Sequence, residues 1–140
     1  MEPVTLTCFV AADRAAVRGA FLDADQLARW WWPQWPDTTY RIDPHPGGTY
    51  RIRADAVGVG VHGQILTLGD GCAVISWVWE NGAANGPEET VTIQFADAVG
   101  DDGVPGTEVT VTHLCTDAEP LRQGWTGVLA RLAELSFERG

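Results

Sequence analysis

Turn residues cut the second half of this chain into segments too short for anything but strands, and one amphipathic stretch then closes it. Residues 38–43 and 49–54 flank His45-Pro46-Gly47-Gly48, a reversal whose glycines supply the positive φ a tight turn needs. Residues 57–68 and 73–80 flank Gly69-Asp70-Gly71. A loop rich in Gly, Asn and Pro is expected as far as Pro87, followed by strands over 88–95 and 107–114 joined by the polar stretch 100–106. Connections this short demand antiparallel pairing, because parallel neighbours need a crossover of a dozen or more residues. After the last strand, Asp117 is placed to cap a helix that tolerates Pro120 in its first turn. Leu121, Trp125, Val128, Leu132 and Leu135 recur at helical spacing along one face, so a long helix is expected over about 117–137.

The first third reads differently. Residues 4–10 alternate as a strand, with Leu6 and Cys8 on one side and Thr5 and Thr7 on the other. Asp13 can cap a short helix carrying Val17, Ala20 and Phe21, and Asp23 or Asp25 a second with Leu27, Trp30 and Trp31 inward, stopped by Pro33. The order predicts a helix-grip α+β fold: a curved antiparallel sheet of six or seven strands around a long C-terminal helix, with two short helices after the first strand. A chain of 140 residues that is 45% apolar suits one domain, residues 1–140, with a real core. A sheet curled around one helix leaves a hollow between them, and that hollow is the expected site.

Composition narrows the function. Nine Arg, no Lys and nineteen acids give a net charge of -10, which repels phosphate backbones and anionic lipid heads. No apolar run is long enough to span a bilayer and no secretory signal is visible, so a soluble cytoplasmic protein is expected, with no nucleic-acid or membrane role. Three widely spaced cysteines argue against a disulfide scaffold or a structural zinc site. No cofactor or metal is expected. His113 and Cys115 share a strand face, but two ligands without two more do not make a metal site.

The aromatic content is the functional signal. Seven of thirteen aromatic residues are Trp, and four of those lie within residues 30–35. A short helix end offers one inward face, so some of these indoles are expected to line a pocket mouth, meet a partner (a homodimer through exposed indoles being one form) or pack locally. Period two sets Ala73, Ile75, Trp77 and Trp79 on one face of their strand, as core or as cavity wall, and Val74, Ser76 and Val78 on the other. His113 shares the inward parity of Val109 and Val111, either as a satisfied core histidine or as a polar anchor or base. Arg41, Arg51 and Arg53 point outward, where Asp37, Asp43 and Asp55 are available for ion pairs. Nothing resembles a nucleophile elbow, and Gly58-Val59-Gly60 lies inside a strand pattern, where it suits a bulge or close packing better than phosphate.

Several local motifs in this order resemble the START-like or Bet v 1-like (SRPBCC) superfamily, and within it the branch related to the C-terminal domain of the Hsp90 ATPase activator. They are Asp13-Arg14-Ala15 with Ala20-Phe21; Leu27-Ala28-Arg29-Trp30-Trp31 with Pro33; and Ile42-Asp43-Pro44-His45-Pro46-Gly47-Gly48-Thr49-Tyr50-Arg51 followed by Gly63. Ser76-Trp77-Val78-Trp79-Glu80, Thr110-Val111-Thr112-His113 and Gly124-Trp125 with Leu129 and Leu132 complete the pattern, which spans nearly the whole chain. Two positions depart from it. Trp32 stands where similar proteins have Gly, adding an indole at the cavity mouth, and His45 replaces an Arg, removing a fixed cation.

The superfamily includes carriers of hydrophobic ligands, polyketide cyclases, small-molecule resistance proteins and the co-chaperone domain, so the resemblance implies the fold more strongly than an activity. Together with the residues it gives three readings. In the first, a hydrophobic, aromatic small molecule binds without catalysis, walled by Trp30, Trp31, Tyr50, Trp77, Trp79 and Trp125 and anchored by His113. The second is a cyclase, aromatase or hydrolase using His113 with Glu80 or Tyr50. The third is a chaperone-interaction module.

Overall fold

A computed structural model describes residues 2–135. Its elements are β1 (Glu2–Val10), α1 (Arg14–Leu22), α2 (Ala24–Trp30), β2 (Thr39–Ile42), β3 (Thr49–Ala54), β4 (Val59–Leu68), β5 (Cys72–Asn81), β6 (Ala84–Val99), β7 (Pro105–Cys115) and α3 (Ala118–Ala133). The strands form one seven-stranded antiparallel sheet in the order β1-β7-β6-β5-β4-β3-β2. Strands β2 to β7 follow one another as a meander, and β1 closes onto β7 with Val10 opposite Thr107 and Glu2 opposite Cys115. This is the helix-grip α+β architecture that the turn spacing predicts.

Residues 81–87 are the main correction to the expected elements. No long loop exists there: β5 runs to Asn81, Gly82 takes φ 63° in the turn, and Asn81 already pairs with Ala84. The Gly, Asn and Pro content is absorbed by a register irregularity between Val78 and Glu80. A second irregularity, between Ile65 and Thr67, bends β4 against β5. Gly63 lies beside it and opposite Tyr50, where any Cβ would collide with the backbone carbonyl of Ser76.

The three helices start differently although each follows an aspartate. Asp13 accepts from the backbone N–H of Ala16, and Asp23 from that of Gln26, the third helical residue in each case. Asp117 occupies the same position before α3, yet its side chain caps nothing. The third helical residue there is Pro120, which has no N–H to give. The helix ends at Ala133, short of the expected 137, and residues 136–140 lie outside the described residues.

Helix α1 buries Val17, Ala20 and Phe21 and α2 buries Leu27 and Trp30, while α3 buries Trp125, Val128, Leu129 and Leu132 against the sheet. Leu121 and Leu135, the two ends of the expected stripe, are only partly buried. The indole run behaves otherwise than a single inward face would allow. Because α2 stops at Trp30 and the chain then turns irregularly to Thr38, successive rings point to different neighbours. Trp30 packs on Phe21 at 4.8 Å and donates its N–H to the carbonyl of Ala20, Trp31 packs on Trp125 at 5.3 Å, and Trp32 on Trp35 at 5.3 Å. Trp30, Trp31 and Trp32 are all buried and Trp35 is half-buried, so the exposed indole surface expected to support self-association is not there.

Candidate functional site

The space between the sheet and α3 is divided. A small apolar cavity of about 50 Å³ lies under α1 and α2, between residues such as Phe21, Ile52, Ile65 and Phe95. A second cavity of about 660 Å³ opens to solvent between β5, β6, α3 and the 31–35 segment. Trp31, Trp77 and Trp125 line both, with ring centroids 5.3 to 6.1 Å apart, and so form the partition between them. The hollow is therefore plugged in its middle and open beneath α3.

Of the seven residues expected to build the site, Trp31, Trp77, Trp79 and Trp125 line the open cavity. Tyr50 lines only the small one, and its hydroxyl donates to the carbonyl of Ser76 at 2.6 Å. Burial pushes its phenol well above the ordinary tyrosine range. Trp30 and His113 line neither cavity.

His113 is fully buried and has both ring nitrogens engaged. The Trp125 N–H donates to Nδ1 at 3.0 Å, so Nδ1 is the bare nitrogen. Nε2 then carries the proton and donates to Glu89 Oε1 at 2.8 Å, while Glu89 Oε2 accepts from the backbone N–H of Thr116 at 3.1 Å. Burial pushes the imidazole below its usual pKa, against the opposing pull of Glu89. The ring orients Trp125 and presents no free nitrogen to the cavity. Period two could have found its partner, since Glu89 has the inward parity of Val91, Ile93 and Phe95.

Glu80 lies on the other face of the sheet. Its carboxylate accepts from Arg51 at 2.9 Å, Arg53 at 3.2 Å and His62 at 2.7 Å. The Arg51 guanidinium, ahead of His62, holds its pKa down to about 2 despite the cost of burial. Glu80 thus takes Arg51 and Arg53, two of the three arginines expected to seek exposed aspartates, and of the expected pairs Arg53–Asp55 forms, at 2.9 Å. A buried carboxylate holding two arginines outcompetes exposed pairs because less of its field is screened.

Three further cavity residues are given no role at the site by the sequence, Gly124 entering there only as part of a family motif. Arg131 donates from Nε to the Trp30 carbonyl at 2.9 Å and from Nη2 to the Trp31 carbonyl at 2.7 Å. It thereby satisfies orphan carbonyls at the end of α2 and ties that turn to α3. Gly124 and Gly127, one helical turn apart, line the cavity, and a Cβ at Gly124 would meet nothing within 4 Å. The missing side chains keep this face of α3 low. Cys8, Cys72 and Cys115 are free thiols, and burial raises Cys8 to about 11. Among the described residues no helix is long and apolar enough to cross a membrane, and no cluster of three metal-ligating side chains occurs.

The family model described as activator of Hsp90 ATPase homolog 1-like protein matches residues 11–136. Among solved structures, CalU16 from Micromonospora echinospora is 22% identical, with a TM-score of 0.68 over 93% of this chain and 73% of that one. Protein CV1439 from Chromobacterium violaceum is 22% identical with a TM-score of 0.69 over 94% of each chain. The Aha1 dimer from Colwellia psychrerythraea is 18% identical with a TM-score of 0.71, covering 96% of this chain and 95% of its own. At these identities the likeness carries the fold alone. No curated protein matches the chain in sequence.

Proposed function

The chain belongs to the activator of Hsp90 ATPase homolog 1-like family, and on that premise we propose that it binds a hydrophobic, aromatic small molecule, without catalysis, as one cytoplasmic domain over residues 1–140. The observation that carries this reading is the open cavity of about 660 Å³, within the range of small-molecule sites and walled by Trp31, Trp32, Trp35, Trp77, Trp79 and Trp125. Indole faces offer large, rigid contact area to a flat ring at little entropic cost. The flat α3 face at Gly124 and Gly127 leaves room for it.

Titration with a panel of aromatic compounds, followed by tryptophan fluorescence and thermal shift, tests the reading. A ligand at a hundred times its dissociation constant stabilises the fold by about 2.7 kcal/mol. Gly124→Leu is the matching variant. It fills the cavity from a helix position where Leu is favoured over Gly by up to about 1 kcal/mol, so binding is lost while the melting temperature holds or rises. Unaltered binding by that variant places the ligand elsewhere.

A cyclase or hydrolase built on His113 has less support: the imidazole is saturated, Glu80 is on the far face and the Tyr50 hydroxyl is engaged with Ser76. The family description favours a second reading, contact with a chaperone ATPase, which a native pull-down separates from a carrier that emerges alone. The solved Aha1 dimer favours a homodimer here as well, through surfaces other than the buried indoles, and sedimentation velocity reads it directly.

A further inference from the structure

Two indole N–H groups, on rings that part the two cavities, lack an acceptor. Trp30 donates to the Ala20 carbonyl and Trp125 to His113, whereas Nε1 of Trp31 and of Trp77 is buried with no hydrogen-bond partner among the described residues. Both rings are more than nine-tenths buried, at 5% and 4% exposure. Buried donors are almost always paired, so two unpaired ones on adjacent rings, with centroids 6.1 Å apart, call for an explanation. Their location offers one. These rings stand between the open cavity and the small apolar cavity of about 50 Å³ behind it, so each N–H, sealed in this structure, reaches a ligand in the open cavity once its ring tilts that way.

The charges around the cavity restrict what can supply the acceptor. Glu89 and Asp117 lie in its lining, Arg131 is the cation there and is committed to two backbone carbonyls, and the chain carries -10 overall. Two carboxylates against one guanidinium disfavour an anionic group, and a cationic group accepts no hydrogen bond. Resting on the binding reading above, we infer that the ligand is a neutral, planar aromatic molecule with a carbonyl-type acceptor at its leading end, and that Trp31 and Trp77 donate their N–H groups to it. The indole faces recognise the ring, and the two donors recognise the oxygen.

Fluorenone and fluorene test this as a matched pair, equal in shape and differing in the carbonyl. Calorimetric titration is expected to show fluorenone bound about tenfold more tightly or better, with fluorene still bound. In protein labelled with ¹⁵N at the indoles, the Trp31 and Trp77 N–H resonances, identified as those lost in Trp31→Phe and Trp77→Phe, move downfield with fluorenone beyond the ring-current shift that fluorene gives. Each variant also lowers the fluorenone preference while retaining fluorene. Equal affinities, or those two resonances moved no further downfield by fluorenone than by fluorene, overturn the inference and leave the binding reading standing. Failure of both probes to bind, and of the wider aromatic panel with them, overturns the binding reading itself. Should a variant fold poorly, the fluorenone and fluorene affinities of the wild-type chain decide by themselves.

Discussion

His113 shows how one side chain couples the interior to pH. Burial keeps its folded pKa below the ordinary value of about 6.5, so below that pH the unfolded chain takes up a proton that the folded one resists. Its contribution to stability is present above about pH 6.5 and is lost as the pH falls through the folded pKa. Urea unfolding at about pH 7 and pH 5 is expected to give a flatter pH dependence for His113→Asn than for wild type. Identical slopes refute the assignment. Glu80 behaves alike at lower pH, with its carboxyl held down to about 2 from 4.5. Its stabilisation is complete above about pH 4.5 and is lost as pH falls towards 2. The melting-temperature gap between wild type and Glu80→Gln is therefore widest near neutrality and closes towards pH 2. A gap constant over that range excludes the ion network as its source.

At the scale of elements, the helix starts separate what a residue type allows from what its neighbours permit. Asp13 and Asp117 occupy equivalent positions, but only Asp13 finds an N–H at the third helical residue, because Pro120 removes the other. Asp13→Ala is expected to cost about 1 kcal/mol and Asp117→Ala a few tenths, the latter from the lost charge at the helix start. Equal losses in chemical denaturation contradict the structural difference. Arg131 works between elements. By holding the carbonyls of Trp30 and Trp31, it fixes where α2 ends and therefore how the following indoles fan out.

Over the whole molecule, the surplus of acids sets the response to salt. Like charges repel in the compact state, and salt shortens the reach of that repulsion to about 10 Å at 0.1 M. The melting temperature at neutral pH is expected to rise between about 0.01 and 0.3 M sodium chloride. A fall with added salt would mean that local ion pairs such as Arg51–Glu80 outweigh the net charge. Binding, too, is a property of this scale. The open cavity exists because α3 and the indole segment meet the sheet at different places and leave β5 and β6 uncovered between them.

Sequence alone determined the meander, the inward parity of Tyr50, Trp77 and His113, the apolar face of α3, the cap of α1, and the family. All of these follow from periodicity, turn chemistry or local motifs, which depend on residues near one another in the chain. Only the tertiary structure decided that Trp30 fills the core while Trp79 lines a cavity, that His113 serves Trp125 and Glu89, and that Glu80 gathers Arg51, Arg53 and His62. Periodicity assigns a face and says nothing of what lies across it. Whether an indole is packed or left at the edge of a void depends on elements far away in sequence.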